Sequence, residues 1–229
     1  MTSSGTYAFA PSFGSLTLDA FDRLQMPPTS LLVEHLNRAA METNLLLASW
    51  SNLTPNLWKT TLQSIPLAQG TATYTLPSYT TGILAAYVST TSGSLTTDRV
   101  IMPISTVDYA GIPNKGIQAP PTTYWFKRQI APQVNVWPVP DSGGPYTLNL
   151  QTMIQIQDAA LAAGQTPDMP YRWLDAFVAG LAHRLSRTYK PALEAIRKTD
   201  AQEAWAIAAN QDTEGVPLYV TPMLGAYYR

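Results

Sequence analysis

The feature that most constrains the fold is a change of pattern along the chain. Helical periodicity marks both ends, whereas residues 57–157 form short β-rich runs that are broken by Gly and Pro. The runs follow one another at intervals of roughly 10 to 20 residues, which favours an antiparallel sandwich or small barrel over βαβ units. One helical turn is predicted within residues 106–115, and DSGGP at 141–145 predicts a hairpin turn. The middle of the chain therefore predicts an inserted β lobe.

Helical segments flank this lobe. Apolar residues recur at helical spacing from about residue 30 to residue 50, and Thr29 or Ser30 is placed to cap this helix. A further helix is predicted to begin after Asp168, its expected cap. It continues to Tyr189, because Pro191 prevents a longer helix. A second C-terminal helix, rich in alanine, follows.

The predicted organisation is an α+β fold. Residues 1–28 show no clear helical period and predict an extended N-terminal arm. One long N-terminal helix and two C-terminal helices form a helical core from residues 29–56 and 158–214. The antiparallel β lobe, residues 57–157, is inserted into this core. Residues 215–229, rich in Tyr and Pro, form an extended C-terminal arm that gains from ordering only against a partner surface.

Composition narrows the function classes. Lys and Arg number 14 and Asp and Glu 15, so no global field draws the chain to nucleic acid or an anionic membrane. The absence of Cys excludes disulfides and thiolate sites. No apolar run approaches the ~18 residues of a membrane span, and no secretory signal is recognisable, so we expect synthesis in the cytosol. Charged residues are only 13% of the chain against a norm of about 25%, which favours a surface buried against other chains over a monomer with a neutral surface.

Catalytic signals are weak. The two histidines, His35 and His183, have no second ligand at metal-binding spacing, and no nucleophile elbow or phosphate loop occurs. The nearest paired acids are Asp19 with Asp22 and Glu194 with Asp200. We predict no enzyme activity, no metal and no cofactor. A virion-associated peptidoglycan hydrolase that uses such carboxylates is one alternative.

Aromatic residues of the β lobe suggest a second alternative. Tyr74, Tyr124, Trp125, Trp137 and Tyr146 have rings that stack on sugars in carbohydrate-binding modules. Such rings more often fill a sandwich core.

The first C-terminal helix is amphipathic and carries a basic stripe. The stripe predicts a DNA-channel or inter-subunit face, with a solvated face as the alternative. The stripe holds Arg172, His183, Arg187 and Lys190, and the predicted face also includes Arg184. Because Arg184 lies at the edge of the apolar arc, it needs a buried or inter-chain acceptor, for which Asp175 and Glu194 are candidates.

Several motifs, taken in order, resemble the head-to-tail adaptor (neck or head-completion) proteins of tailed bacteriophages. They cover almost the whole chain from residue 16, and their joint occurrence carries the resemblance. The motifs are LTLDAFDR (16–23), NLLLASWSNLTPNLWK (44–59), GTATYTLP (70–77), DRVIMPISTVDYAGIPNK (98–115), PTTYWFKR (121–128), VWPVPD (136–141), DMPYRWLDAFVAGLAHRLS (168–186) and GAYYR (225–229).

The resemblance implies a non-enzymatic virion protein, made in the host bacterial cytoplasm. It implies a homo-oligomeric ring, typically of 12 copies, that lies beneath the portal and extends the DNA channel. Such a ring helps to retain packaged DNA and docks tail or nozzle proteins, while double-stranded DNA passes without sequence-specific binding. The C-terminal arm is then the portal-binding segment. Its predicted contact residues are Val216, Pro217, Leu218, Tyr219, Val220, Pro222, Met223, Leu224, Tyr227, Tyr228 and Arg229.

Overall fold

A computed structural model describes residue 3 and residues 5–53, 57–159 and 164–213. The helices are α1 (Phe13–Asp22), α2 (Val33–Leu53), α3 (Thr106–Gly111), α4 (Leu174–Tyr189) and α5 (Glu194–Asn210). The strands are β1 (Thr60–Leu67), β2 (Thr73–Thr75), β3 (Thr80–Ser92), β4 (Leu95–Val100), β5 (Met102–Pro103), β6 (Thr123–Lys127), β7 (Gln133–Trp137) and β8 (Tyr146–Ile154). The predicted α+β class, with a β lobe between helical ends, is confirmed.

Helices α1, α2, α4 and α5 build the first apolar core. α4 lies at its centre and contacts the other three helices. Its Phe177 ring lies 5.6 Å from Phe13 of α1 and 6.5 Å from Trp50 of α2, measured between ring centroids. None of the described helices is long and apolar enough to cross a membrane.

The N-terminal segment differs from its prediction, because α1 is a helix and not part of an extended arm. Phe13, Leu16 and Phe21 are buried in the first core. They recur at i, i+3 and i+8, which places them on one helical face. The Ser12 hydroxyl accepts the Ser15 N–H at 3.2 Å and caps the helix. Burial of this apolar face stabilises the helix. The prediction of an extended arm is therefore wrong for the residues of α1.

α2 is shifted towards the C-terminus of its predicted range. Neither Thr29 nor Ser30 caps it, because both lie in a separate 3-10 turn, Pro28–Ser30, before α2, and the Ser30 hydroxyl donates to the Pro27 carbonyl oxygen at 2.8 Å. The His35 Nδ1 atom instead accepts the Leu32 N–H at 2.9 Å, which satisfies a backbone donor before the first turn.

α4 also begins later than predicted. A 3-10 turn, Tyr171–Trp173, precedes it, and Pro170 at the start of that turn makes no side-chain cap. Asp168, the predicted cap, is an ion-pair partner of Lys59. Because the Asp168 carboxylate pairs with the Lys59 ammonium and does not cap α4, the capping prediction is wrong.

The β lobe consists of two four-stranded sheets, ordered β1-β8-β3-β4 and β2-β7-β6-β5. The first sheet is antiparallel throughout, whereas β5 and β6 of the second are parallel, which corrects the antiparallel prediction at that pair. Alternate residues point inward and form a second core. It contains Leu76, Ala86, Val88, Ile101, Tyr124, Val134, Val136, Tyr146, Leu148 and Leu150. The predicted domain boundaries stay predictions.

The DSGGP segment forms a turn but not the predicted hairpin. Its flanking strands, β7 and β8, belong to different sheets, so the turn carries the chain from one sheet to the other. The Asp141 Oδ1 atom accepts the Tyr146 hydroxyl at 2.7 Å and the Gly143 N–H at 2.8 Å. These bonds, the first above all, lower the pKa of Asp141.

The helical turn predicted within residues 106–115 is confirmed as α3. The Ser105 hydroxyl accepts the Asp108 N–H at 3.1 Å, and the Asp108 carboxylate accepts the Ser105 N–H at 3.1 Å. This reciprocal capping box explains why so short a helix forms.

Candidate assembly surfaces

The basic residues predicted to face DNA or a neighbour lie on and beside α4, and several have partners within the chain. Arg172 donates to Asp212 at 3.0 Å. The His183 Nε2 atom lies 3.1 Å from Glu194 Oε1. Arg187 is exposed, and its Nη2 atom lies 3.4 Å from the same histidine nitrogen. Lys190 is exposed at the C-cap of α4. The stripe is thus divided between internal ion pairs and exposed cations.

Arg184 finds an acceptor on α2 and not on its predicted partners. Its Nη1 atom lies 3.5 Å from Glu42 Oε2, and its Nη2 atom donates to the Ser49 hydroxyl at 3.2 Å. Asp175 pairs with Arg23, and Glu194 contacts His183. The acceptor of Arg184 depends on how α2 packs against α4, which the sequence pattern of α4 does not contain.

His183, Arg184 and Arg187 border a groove of about 640 Å³ between α2 and α5, with α4 as its floor. Gly180 forms part of the floor, where an added Cβ would lie 3.1 Å from a Leu46 methyl group. The described residues that line the groove include no Asp or Glu. They are Leu46, Trp50, Leu53, Ala176, Gly180, His183, Arg184, Arg187, Lys198, Ala201, Gln202, Trp205 and Ala206. We call this surface the basic groove.

Four tryptophans meet where the helices join the β lobe. The ring of buried Trp173 lies 5.2 Å from Trp50, 5.0 Å from Trp58 and 6.4 Å from Trp205, measured between centroids. Such tilted and edge-on arrangements add to the stability that burial supplies. The four come from separate elements, so the sequence alone did not predict their convergence.

The Asp168 carboxylate contacts the chain at both points where it passes between the helices and the β lobe. The chain enters the lobe after Lys59, whose ammonium pairs with Asp168 Oδ2. It leaves before Gln157, whose N–H donates to the same oxygen at 3.3 Å. We call these three residues the neck. The Lys59 side chain is only 8% exposed, so its ammonium depends on this carboxylate.

Of the carboxylates considered for a hydrolase, Asp19, Glu194 and Asp200 each contact a basic side chain. Asp19 lies 3.5 Å from Arg23, while Asp200 accepts a hydrogen bond from Arg197 at 2.7 Å. Glu194 faces His183. Among the described residues, no group of three or more His, Asp or Glu could hold a metal ion.

The aromatic residues considered for sugar binding are largely engaged inside the lobe. Tyr124 and Tyr146 are buried in the second core. The Tyr74 hydroxyl donates to a backbone carbonyl, and the Trp137 Nε1–H donates to another. The Trp125 ring stacks on Tyr109 of α3, with centroids 4.8 Å apart. These contacts favour a packing role.

The residues predicted to bind the portal, 216–229, lie outside the described residues.

One family model, described as SU10 adaptor protein, matches residues 12–220. The match includes both helical ends and the entire β lobe. None of the curated proteins matches the sequence. The predicted resemblance to phage head-to-tail adaptors is confirmed, and the role of such a protein is that of a structural adaptor of a virion. The chain belongs to the SU10 adaptor protein family.

Proposed function

We propose that this adaptor forms a ring below the portal at one vertex of the capsid. The ring extends the DNA channel, helps to retain packaged DNA and provides the docking site for tail or nozzle proteins. The match to the adaptor family over residues 12–220 carries the proposal. Exposed apolar side chains on α2 and α5 support it, because ring neighbours bury such surface. The main examples are Met41, Leu45, Leu53, Ile196 and Ile207.

We infer a ring of 12 copies through which double-stranded DNA passes without sequence-specific binding. The formal net charge is −1, and Arg172, just before α4, and Arg184, on α4, already pair with carboxylates within the subunit. Phosphate contacts dominate the affinity of proteins for DNA, so a lumen with few free cations allows DNA to slide through. The protein is made in the host cytoplasm and resides in the virion, at the junction between capsid and tail.

Residues 215–229 form the portal-binding arm in this proposal. The arm combines three tyrosines, two prolines and several aliphatic residues, a composition that gains from contact with a preformed surface. We expect its removal to abolish portal binding while the described core remains folded.

Electron microscopy of the protein mixed with its portal ring tests this function. Full-length protein should add a ring layer to the portal, and a variant that ends at residue 214 should add none. A variant with the arm residues in scrambled order is the matched control, because its length and composition are unchanged. A full-length protein that adds no layer would refute the ring function, whereas a truncated protein that still adds one would refute the role of the arm alone.

A further inference from the structure

α5 carries apolar residues on two different faces. One face packs into the first core through Ala204, Trp205 and Ala208. On the other face Ile196 is 56% exposed and Ile207 is 70% exposed. Asp200 and Glu203 lie between these isoleucines at i+4 and i+7, on the same side of the helix. We call these four residues the outer ridge.

The outer ridge has the pattern of a helix that binds in a groove. Apolar anchors at its two ends flank two carboxylates, at the spacings i, i+4, i+7 and i+11. Asp200 already accepts a hydrogen bond from Arg197 at 2.7 Å. Glu203 is exposed and has no ion-pair partner within the described part of the chain.

The basic groove matches the outer ridge in charge. Arg187, at the end of the floor, and Lys198, on the α5 wall, are exposed, and neither has a carboxylate partner among the described residues. Leu53, 62% exposed, and Trp205 give the groove apolar contact surface. Opposite charges on two such surfaces select the partner and fix the register of contact.

The two surfaces also match in length. Residues 196–207 of the ridge span about 16 Å at 1.5 Å per residue, and the floor of the groove along α4, residues 176–187, has the same span. The groove is a trough between two helices above a third, so a fourth helix can complete the packing.

We propose that the outer ridge of α5 in one copy docks into the basic groove of the next copy. On α5 the ridge and the groove-lining residues are about 160° apart at 100° per residue. One copy therefore uses different faces towards its two neighbours, and this head-to-tail contact repeats around a ring. The inference rests on the proposed ring function and identifies the surfaces that would build the ring.

Charge reversal at one residue of each surface tests the contact. In Lys198→Glu the groove repels Glu203 of the neighbour, and in Glu203→Lys the ridge repels Lys198. We expect each variant alone to weaken association between copies about tenfold or more, because like charges then face each other at every interface. An equimolar mixture of the two variants should assemble again, since alternating copies restore opposite charges at both kinds of interface.

The assay is sedimentation of each protein and electron microscopy of each on the portal ring, with circular dichroism to confirm folding. Asp22→Lys, which changes the charge by the same amount as Glu203→Lys but at an exposed position of α1, is the matched control and should assemble as the parent does. Single variants that assemble normally, or a mixture that fails to recover, would overturn the proposed contact while the ring function stands. Failure of the parent protein to form a layer would instead refute the ring function and the contact with it.

Discussion

Substitutions in the neck should have unequal effects on stability. Asp168→Asn removes the negative charge that faces the Lys59 ammonium, and the Lys59 side chain is only 8% exposed. A buried charge left without its counter-ion typically destabilises a protein by about 3–5 kcal/mol. Because Lys59 is nearly but not wholly buried, we expect the free energy of unfolding to fall by about 3 kcal/mol.

Lys59→Met should be much milder. The methionine keeps most of the apolar stem, and the Asp168 side chain that remains is 33% exposed and can be hydrated. Its carboxylate still accepts the Gln157 N–H at 3.3 Å. We expect a loss of about 1 kcal/mol, in the range of the net contribution of an ordinary hydrogen bond.

Urea unfolding of the two variants and their combination measures this difference. Tryptophan fluorescence is a suitable signal because Trp58 adjoins Lys59 and contacts Trp173. The double variant Lys59→Met/Asp168→Asn should be more stable than Asp168→Asn alone, because it contains no unpaired buried charge. Equal losses for the two single variants, or a double variant that loses the sum of both, would refute this account of the neck.

Two further predictions concern the β lobe and the groove floor. Tyr146→Phe removes the hydroxyl that donates to Asp141, so the depressed pKa of Asp141 should rise towards its ordinary value in a carboxyl NMR titration. The resulting difference in stability should be present above the ordinary aspartate pKa and vanish as the pH falls through the depressed one; a difference that persists in acid would contradict this. Gly180→Val should lower the free energy of unfolding by about 1–3 kcal/mol, since its Cβ would lie 3.1 Å from a Leu46 methyl group. Thermal melting of Gly180→Val and Gly180→Ala, measured side by side, checks this prediction. A Gly180→Val protein that is more stable than the parent would contradict it.

Local sequence patterns predicted most of the helices and strands, whereas the remaining features of the fold depend on tertiary contacts. The period of Phe13, Leu16 and Phe21 was present in the sequence, but Gly14 and Thr17, poor helix formers, obscured α1 until its burial was known. The parallel β5–β6 pair and the turn between sheets depend on which strands meet, which short-range patterns do not determine.

The candidate assembly surfaces likewise combine features that the sequence predicts with features that depend on tertiary packing. Periodicity placed the cations on one helix, yet Glu42 as the acceptor for Arg184 follows only from the packing of α2. The groove likewise needs two helices that are distant in sequence. An exposed isoleucine pair on an alanine-rich helix was the available signal for the outer ridge.

The neck has a mechanical consequence for the β lobe. β3 starts beside it, where Gln155 bonds to Tyr79, and runs outward through residue 92, a distance of about 40 Å at 3.3 Å per residue. A rotation of about 10° at the neck would therefore move the far end of the β3–β4 hairpin by about 7 Å, more than the spacing between adjacent strands. A small change at the base of the lobe, where Asp168 contacts both Lys59 and Gln157, is therefore amplified by this long lever arm at the tip of the lobe.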